Sequence, residues 1–193
     1  MQPVRKAIQK GFTLVELLIV VIILALLAAI VVPQFASSTE DAKLASLDST
    51  LANVRAAIDL YRQQHNAYPG AVTAEDAACG ATDGTGTGGA GAGGAQAFLD
   101  QLSLYSDVDG GTCSVKDANF KFGPYLKKST LPANPITGVS TLEVVDDGDI
   151  LMSGTAAGGG WKYDINAGKF IANDTTDPDG PLPGGPEPSY DQR

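Results

Sequence analysis

The chain opens with a long run of apolar residues, from Phe12 to Val32, that is interrupted by one carboxylate and followed by Pro33. At about 1.5 Å per residue, a helix over this run is long enough to cross a hydrocarbon core of about 30 Å. The interruption is Glu16. Placing an acidic side chain inside a membrane segment costs free energy, so we expect Glu16 to have a function. The pattern predicts a membrane-spanning helix over 12–33.

A short basic leader, residues 1–11, precedes this run and carries Arg5, Lys6 and Lys10 without any acid. Positive charge on this side predicts that the leader stays cytoplasmic and that the chain beyond Pro33 is exported. The far end of the run lacks the small-residue pattern of an ordinary signal cleavage site. Gly11 is the better junction, since a cut there leaves the apolar helix attached to the mature chain.

The pattern after Pro33 changes to one apolar face at helical spacing and predicts an amphipathic helix over 34–66. Its apolar positions are Leu44, Leu47, Leu51, Val54, Ile58 and Tyr61. We expect this stripe to pack on the chain's own sheet, although a coiled coil has the same spacing. The helix should end near His65, a surface position, while Ser37–Thr39 either cap a restarted helix or lie within a bent one.

The sequence of residues 67–172 predicts short helices and short strands. "AFLDQLSLY" from Ala97 to Tyr105 predicts a short helix or turn, and "TLEVVD" from Thr141 predicts a strand. A hairpin is expected from Trp161 to Ala172, with one more strand in 114–122 or 150–153. The predicted fold class is α+β, with a long N-terminal helix packed on a small antiparallel sheet.

Two stretches have compositions that do not build a core. Residues 80–95 are rich in glycine, and without a following Gly-Lys-Ser/Thr they do not form a phosphate-binding loop. Residues 173–193 are acidic and rich in proline, which predicts a disordered tail.

The net charge and the cysteine content argue against two functions, nucleic-acid binding and zinc binding. The net charge of −9 argues against nucleic-acid binding through the global field of the protein. The only cysteines are Cys79 and Cys113, and with one histidine they cannot complete a zinc site. In an exported domain they are expected to form a disulfide, the alternative being two buried thiols.

"GFTLVE", followed by the aliphatic run and Pro33, resembles the N-terminus of type IV pilins and of type II secretion pseudopilins. The stretches "AIDLYRQQHNAYPG", "GPYLKKSTLPANPITG" and "GGWKYDINAGKF" resemble the major pseudopilin, the G type. The resemblance implies that a prepilin peptidase cuts between Gly11 and Phe12 and methylates Phe12. It also implies that Glu16 and Pro33 of this chain act in filament assembly.

Glu16 has two interpretations. Its carboxylate could pair with the new amine of Phe12 in its own helix, one turn away. The resemblance implies instead that it pairs with the amine of a neighbouring subunit and sets the register of docking, as buried polar groups do elsewhere.

The resemblance implies a structural, non-enzymatic subunit of a filament that contains copies of itself and sister pseudopilins. Its other partners would be an inner-membrane assembly platform and its ATPase. The chain would cross the bacterial inner membrane once, with its C-terminal domain periplasmic, or at the cell surface in a pilus. Secretion pseudopilus and surface pilus both remain open.

The resemblance also implies calcium binding, for which the candidate oxygen ligands are Asp146, Asp147, Asp149 and Asp164. A solvated acidic hairpin tip explains the same residues equally well. Two rival functions are a membrane-tethered enzyme, for which no nucleophile and base are spaced suitably, and a minor pilin that adheres or captures DNA. The basic residues available for DNA are Lys116, Lys121, Lys127 and Lys128.

Overall fold

The computed structural model describes residues 12–75, 79, 94–155 and 159–174, with the backbone only for 32–37. The chain divides into two compact units, Met1–Ala42 and Lys43–Arg193. The elements are α1 (Leu14–His65), α2 (Gly94–Ser103), β1 (Tyr105–Ser106), β2 (Thr112–Cys113), β3 (Leu142–Val145), β4 (Trp161–Asp164) and β5 (Phe170–Ala172). The predicted α+β, pilin-like class is confirmed.

The first unit contains the N-terminal part of α1, where one stretch, Leu14–Val31, is long and apolar enough to cross a membrane. Nothing within the unit buries this stretch. The helix runs through Pro33 without a break, so Ser37–Thr39 lie inside it and do not cap a second helix. The predicted membrane helix and the predicted amphipathic helix are therefore parts of one element.

The second unit buries the apolar stripe of α1. Leu47, Leu51, Val54, Ile58 and Tyr61 are each at most 2% exposed, whereas Leu44 at the end of the stripe is only partly buried. Their core partners include the aromatic residues Phe98, Trp161, Tyr163 and Phe170. The stripe packs within the chain's own domain, as predicted. The helix ends at His65, and Asn66 follows with a φ of 54°.

The three-stranded sheet has the order β3-β4-β5 and is mixed. The predicted hairpin is confirmed, since β4 pairs antiparallel with β5. β3 pairs parallel with β4, so the prediction of a purely antiparallel sheet is wrong on this point. The long connection 146–160 returns the chain to the starting end of β3, where Trp161 N donates to Thr141 O at 2.8 Å. Parallel strands need such a crossover.

The additional strand predicted in 114–122 or 150–153 is absent from those residues. A two-residue ladder, β1 with β2, lies earlier in the chain, and Phe122 joins it through one isolated bridge to Ser106. The polar sequence around Asp117 instead forms a turn, in which the Asp117 carboxylate accepts from Asn119 N and Phe120 N.

Two predicted boundaries shift by two residues. Gly94 and Ala95, assigned to the glycine-rich loop, form the first turn of α2, and Gly94 N donates to Gly70 O at 3.1 Å. Asn173 and Asp174, assigned to the tail, are buried in the domain. The Asn173 side chain bonds to Thr155 N and to the Glu143 carboxylate. The rest of both predicted segments, 80–93 and 175–193, lies outside the described residues.

Candidate functional site

The N-terminal end of α1 is closed by a reciprocal pair of hydrogen bonds. Glu16 N donates to Thr13 Oγ1 at 3.2 Å, while Glu16 Oε2 accepts from Thr13 N at 3.0 Å and from Thr13 Oγ1 at 2.7 Å. This is a capping box, which satisfies backbone donors that the first helical turn leaves unpaired. The signature Thr-x-x-Glu is visible in the sequence, although Glu16 was predicted to act only through its charge. Glu16 is therefore positioned by its own chain.

The surface that follows the capping box is aliphatic all round. Large side chains between Leu14 and Val31 are 42–80% exposed. A helix that is apolar on every face is typical of a membrane span or of a helix buried among others. Phe12, the expected first residue after cleavage, is 82% exposed. Its expected neighbour across the cleavage site, Gly11, lies outside the described residues.

Cys79 and Cys113 are joined by a disulfide, as predicted for an exported domain. Cys113 lies in β2 and is buried, beside Thr112, whose backbone N and hydroxyl both donate to Ala74 O. The bond thus fixes the residues that follow α1 to the small ladder. Its two ends enclose the glycine-rich segment.

The four candidate calcium ligands cluster at the turn between β4 and β5 and the loop after β3. The Asp164 carboxylate accepts from three backbone donors: Oδ1 from Asn166 N and Ala167 N at 2.8 Å each, and Oδ2 from Asp149 N at 3.1 Å. Asp149 Oδ1 accepts from Leu151 N at 2.8 Å. Asp146 and Asp147 are exposed, and the Asp146 carbonyl accepts from the Asn166 side chain.

These oxygens do not fit the calcium assignment well, because the buried carboxylate is already occupied in shaping the turn. Among the described residues, no group of three or more His, Cys, Asp or Glu side chains is arranged to hold a metal. Calcium binding by Asp146, Asp147, Asp149 and Asp164 remains a prediction of the resemblance.

His65 is half-buried, and its expected surface position is wrong. Its ring stacks on Tyr61 with centroids 4.0 Å apart, and its two nitrogens lie 3.0 Å from Tyr61 O and 2.9 Å from Ser106 Oγ. Phe122 and Tyr125 present their edges to it. These contacts explain the residue as a structural link between the end of α1 and β1.

The four lysines considered for DNA binding have different surroundings. Lys116 lies near the Tyr105 ring and Lys121 near the Phe122 ring, with their Nζ atoms 6.0 and 5.3 Å from the ring centroids. Lys127 and Lys128 line a groove beside α1. No observation among these links the four lysines into one DNA-binding surface.

Comparison with known proteins gives matches to part of the chain. Residues 6–32 match the family described as "Prokaryotic N-terminal methylation motif". The type II secretion system core protein G of Pseudomonas aeruginosa is 44% identical over 61 residues, which are 32% of this chain and 43% of that protein. The corresponding Escherichia coli protein is 34% identical over 61 residues, 32% of this chain and 42% of its own length.

A type IV pilus protein matches to a similar degree. The type IV narrow pilus major component PilA5 of Thermus thermophilus is 45% identical over 60 residues, 31% of this chain and 52% of that protein. The chain thus spans about half or less of the relatives' lengths. No solved structure gives a significant match. The chain thus carries a prokaryotic N-terminal methylation motif, and over about a third of its length it is similar to the G-type pseudopilin and to a type IV pilin, which are structural proteins and not enzymes.

Proposed function

We propose that this protein is a subunit of a type II secretion pseudopilus or a type IV pilus and polymerises through its N-terminal helix. The observation that carries the proposal is the exposed aliphatic surface of Leu14–Val31 with Glu16 at its N-terminal end. Cleavage between Gly11 and Phe12, followed by methylation of Phe12, prepares the chain for assembly. Prepilin peptidase, an inner-membrane assembly platform and its ATPase are the partners of these steps.

The aliphatic surface determines where the helix can go. Transfer of the run from Leu17 to Val32 into water would cost on the order of 20 kcal/mol, taking about 1.5 kcal/mol for each large side chain. The helix can therefore leave the membrane only by entering another apolar surface. A bundle of identical helices provides that surface, which makes a filament core the natural destination.

In the proposal, Glu16 determines the register in which subunits assemble. A carboxylate in an apolar environment costs about 2.5–3.5 kcal/mol. A pair of unit charges about 4 Å apart at an effective dielectric near 20 gains roughly 4 kcal/mol, which is enough to offset this cost. In the proposal, the new amine of Phe12 on a neighbouring subunit is the partner. Each incoming subunit is thus placed in one register.

The relatives include a secretion protein and a pilus component, and the proposal covers both kinds of filament. The basic leader supports a single-pass topology in the inner membrane, with Lys43–Arg193 on the exported side. In this topology the disulfide forms in an oxidising compartment, where it is stable.

Two matched substitutions test whether Glu16 acts between subunits or only caps its own helix. Glu16→Gln retains a side chain that suits a capping box but removes the charge, whereas Thr13→Ala removes the cap and leaves the charge. The proposal predicts that Glu16→Gln inserts into the membrane and forms no filaments. Thr13→Ala should lose about 1 kcal/mol of helix stability and still assemble. Filament yield by electron microscopy and membrane content by fractionation provide the two readouts.

Glu40→Ala is the control for loss of an exposed acid elsewhere on α1, and it should assemble normally. A normal filament yield from Glu16→Gln would remove the charge pair from the mechanism. Equal defects in Glu16→Gln and Thr13→Ala would reduce the role of Glu16 to capping.

A further inference from the structure

The loop after β3 presents two adjacent aliphatic side chains to solvent. Ile150 is 74% exposed and Leu151 is 78% exposed, which makes them the most exposed large apolar residues described in the second unit. Contiguous exposed apolar side chains are a feature of interaction surfaces. We call Ile150 and Leu151 the tip.

The backbone of the tip is held firmly by hydrogen bonds. Asp149 accepts from Leu151 N at 2.8 Å and from Met152 N at 3.2 Å. Lys169 Nζ donates to Ile150 O at 2.9 Å and to Met152 O at 3.0 Å, and the Met152 side chain is buried. The tip therefore does not have to be ordered on binding, which lowers the entropic cost of a contact.

A groove of about 320 Å³ lies between α1 and the segment 126–132. Its apolar lining comes from Val54, Leu126, Leu131 and Pro132, and its rim carries Asn53, Thr130, Lys127 and Lys128. Val54 and Leu131 are almost fully buried, so the floor is apolar while the edge is polar and basic. This is the arrangement of a site for an apolar group that carries negative charge beside it.

The tip and the groove lie at opposite ends of β4. Trp161, the first residue of the strand, donates from Nε1 to the carbonyl of Pro132 in the groove at 2.8 Å. Asp164, the last residue, accepts from Asp149 N beside the tip at 3.1 Å. The tip and the groove of one chain are therefore separate surfaces. Two different surfaces that are complementary produce a head-to-tail contact, which extends into a filament when it does not close into a ring.

The charges of the two surfaces are complementary as well. Asp146 and Asp147 are exposed beside the tip, and Lys127 and Lys128 are exposed at the groove. Opposite charges around an apolar contact steer the encounter and fix its register.

We infer that the tip of one subunit docks into the groove of a second copy of the same chain. The inference rests on the proposed function, and it adds a second contact between subunits, made by the exported domains. The occupant of the groove is thus the pair Ile150 and Leu151, with Asp147 of one copy next to Lys128 of the other.

Cysteine cross-linking in filaments of the full-length chain tests the docking. Leu151→Cys combined with Asn53→Cys should yield disulfide-linked ladders under mild oxidation, since the native cysteines are already bonded to each other. The matched control pairs Leu151→Cys with Ala52→Cys, an exposed neighbour on α1 that does not line the groove. It should yield no ladder.

Charge reversal provides an independent measurement. Asp147→Lys and Lys128→Asp should each abolish the ladder in the background of the cysteine pair, and the double reversal should restore it. Filaments without a ladder would overturn the docking and leave the proposed function intact. A ladder formed by Ser189→Cys with Asn53→Cys in its place would assign the groove to the acidic tail and likewise overturn the inference. If the unmodified chain forms no filaments, the proposed function fails, and the docking fails with it.

Discussion

Glu143 is a carboxylate whose charged form is stabilised by its neighbours in the domain. The Thr155 hydroxyl donates to its carboxylate at 2.7 Å, the Asn173 side-chain amide donates at 2.7 Å, and Lys162 adds a favourable charge. These contacts, the Thr155 bond above all, lower the pKa of Glu143 below its ordinary value. They also attach the connection between β3 and β4, through Thr155, and the residue after β5, Asn173, to β3.

The lowered pKa predicts a specific loss of stability in acid. A glutamate with a depressed folded pKa contributes stability that is fully present above its unfolded pKa of about 4.3 and is lost as the pH falls through the folded value. Because the side chain is partly exposed to solvent, we expect a contribution of about 0.5–1 kcal/mol. Thermal unfolding from pH 7 to pH 3 should show a shallower acid decline in Glu143→Gln than in the unmodified chain. Identical slopes would contradict the assigned contacts.

Two features favour glycine at position 168, in the turn between β4 and β5, and they can be tested separately. Its φ is +67°, and a Cβ at this position would collide with the Tyr68 ring. Gly138 has a similar φ of +75° but open space around it. Gly138→Ala should therefore cost about 1–2 kcal/mol of unfolding free energy through backbone strain.

Gly168→Ala should cost about 1–3 kcal/mol more than Gly138→Ala, because the Tyr68 ring must move as well. Denaturant midpoints of the two variants in the same detergent provide the comparison. Equal losses would show that the Tyr68 ring yields without cost.

Sequence patterns identified some of these residues and not others. Thr13 and Glu16 carry a capping signature that depends only on local spacing, so it could have been recognised. The surroundings of His65 could not, because they depend on Ser106 and Phe122, which are more than 40 residues away. The same holds for Gln101, a fully buried amide that bonds to Gly70 N, Val72 O and Gly110 O.

At the scale of elements, the β4–β5 hairpin depends on Asp164. Its carboxylate satisfies three backbone donors in the turn and in the adjacent loop, so Asp164→Ala leaves all three without this acceptor. We expect a loss of about 2–4 kcal/mol of unfolding free energy. Since the bonds are made within the protein, the loss should be the same in millimolar calcium and in excess chelator.

Asp164→Asn is the control, because it retains an oxygen for Asn166 N and Ala167 N and should lose less. Thermal unfolding with calcium and with chelator distinguishes the two roles of the cluster. A calcium-dependent rise in Tm of the unmodified chain that disappears in Asp164→Ala would establish the calcium site and contradict a purely structural role.

Periodicity predicted the helices well and the sheet less well. The spacing of Leu47, Leu51, Val54, Ile58 and Tyr61 reports directly on a buried helical face, and breakers after His65 fix the end of α1. The direction of β3 relative to β4 is not encoded in an alternating pattern, which is the same for parallel and antiparallel neighbours. It depends on the connection 146–160, whose turns have no helical or strand periodicity.

The whole molecule combines two parts with opposite surface chemistry. The described portion of Met1–Ala42 exposes an aliphatic helix, while Lys43–Arg193 buries its own apolar stripe beneath a mixed sheet. The second part is therefore a self-contained domain, and the first requires an apolar environment. In our proposal a membrane provides this environment before assembly, and the filament core provides it afterwards.

The N-terminus of the chain in purified filaments tests this account most directly. Intact-mass and peptide mass spectrometry of the filament fraction should find a chain that begins at N-methylated Phe12 and retains the complete aliphatic helix. Filaments built from a chain that still begins at Met1, or a mature protein that begins beyond Val32 and lacks the helix, would contradict polymerisation through a processed N-terminal helix.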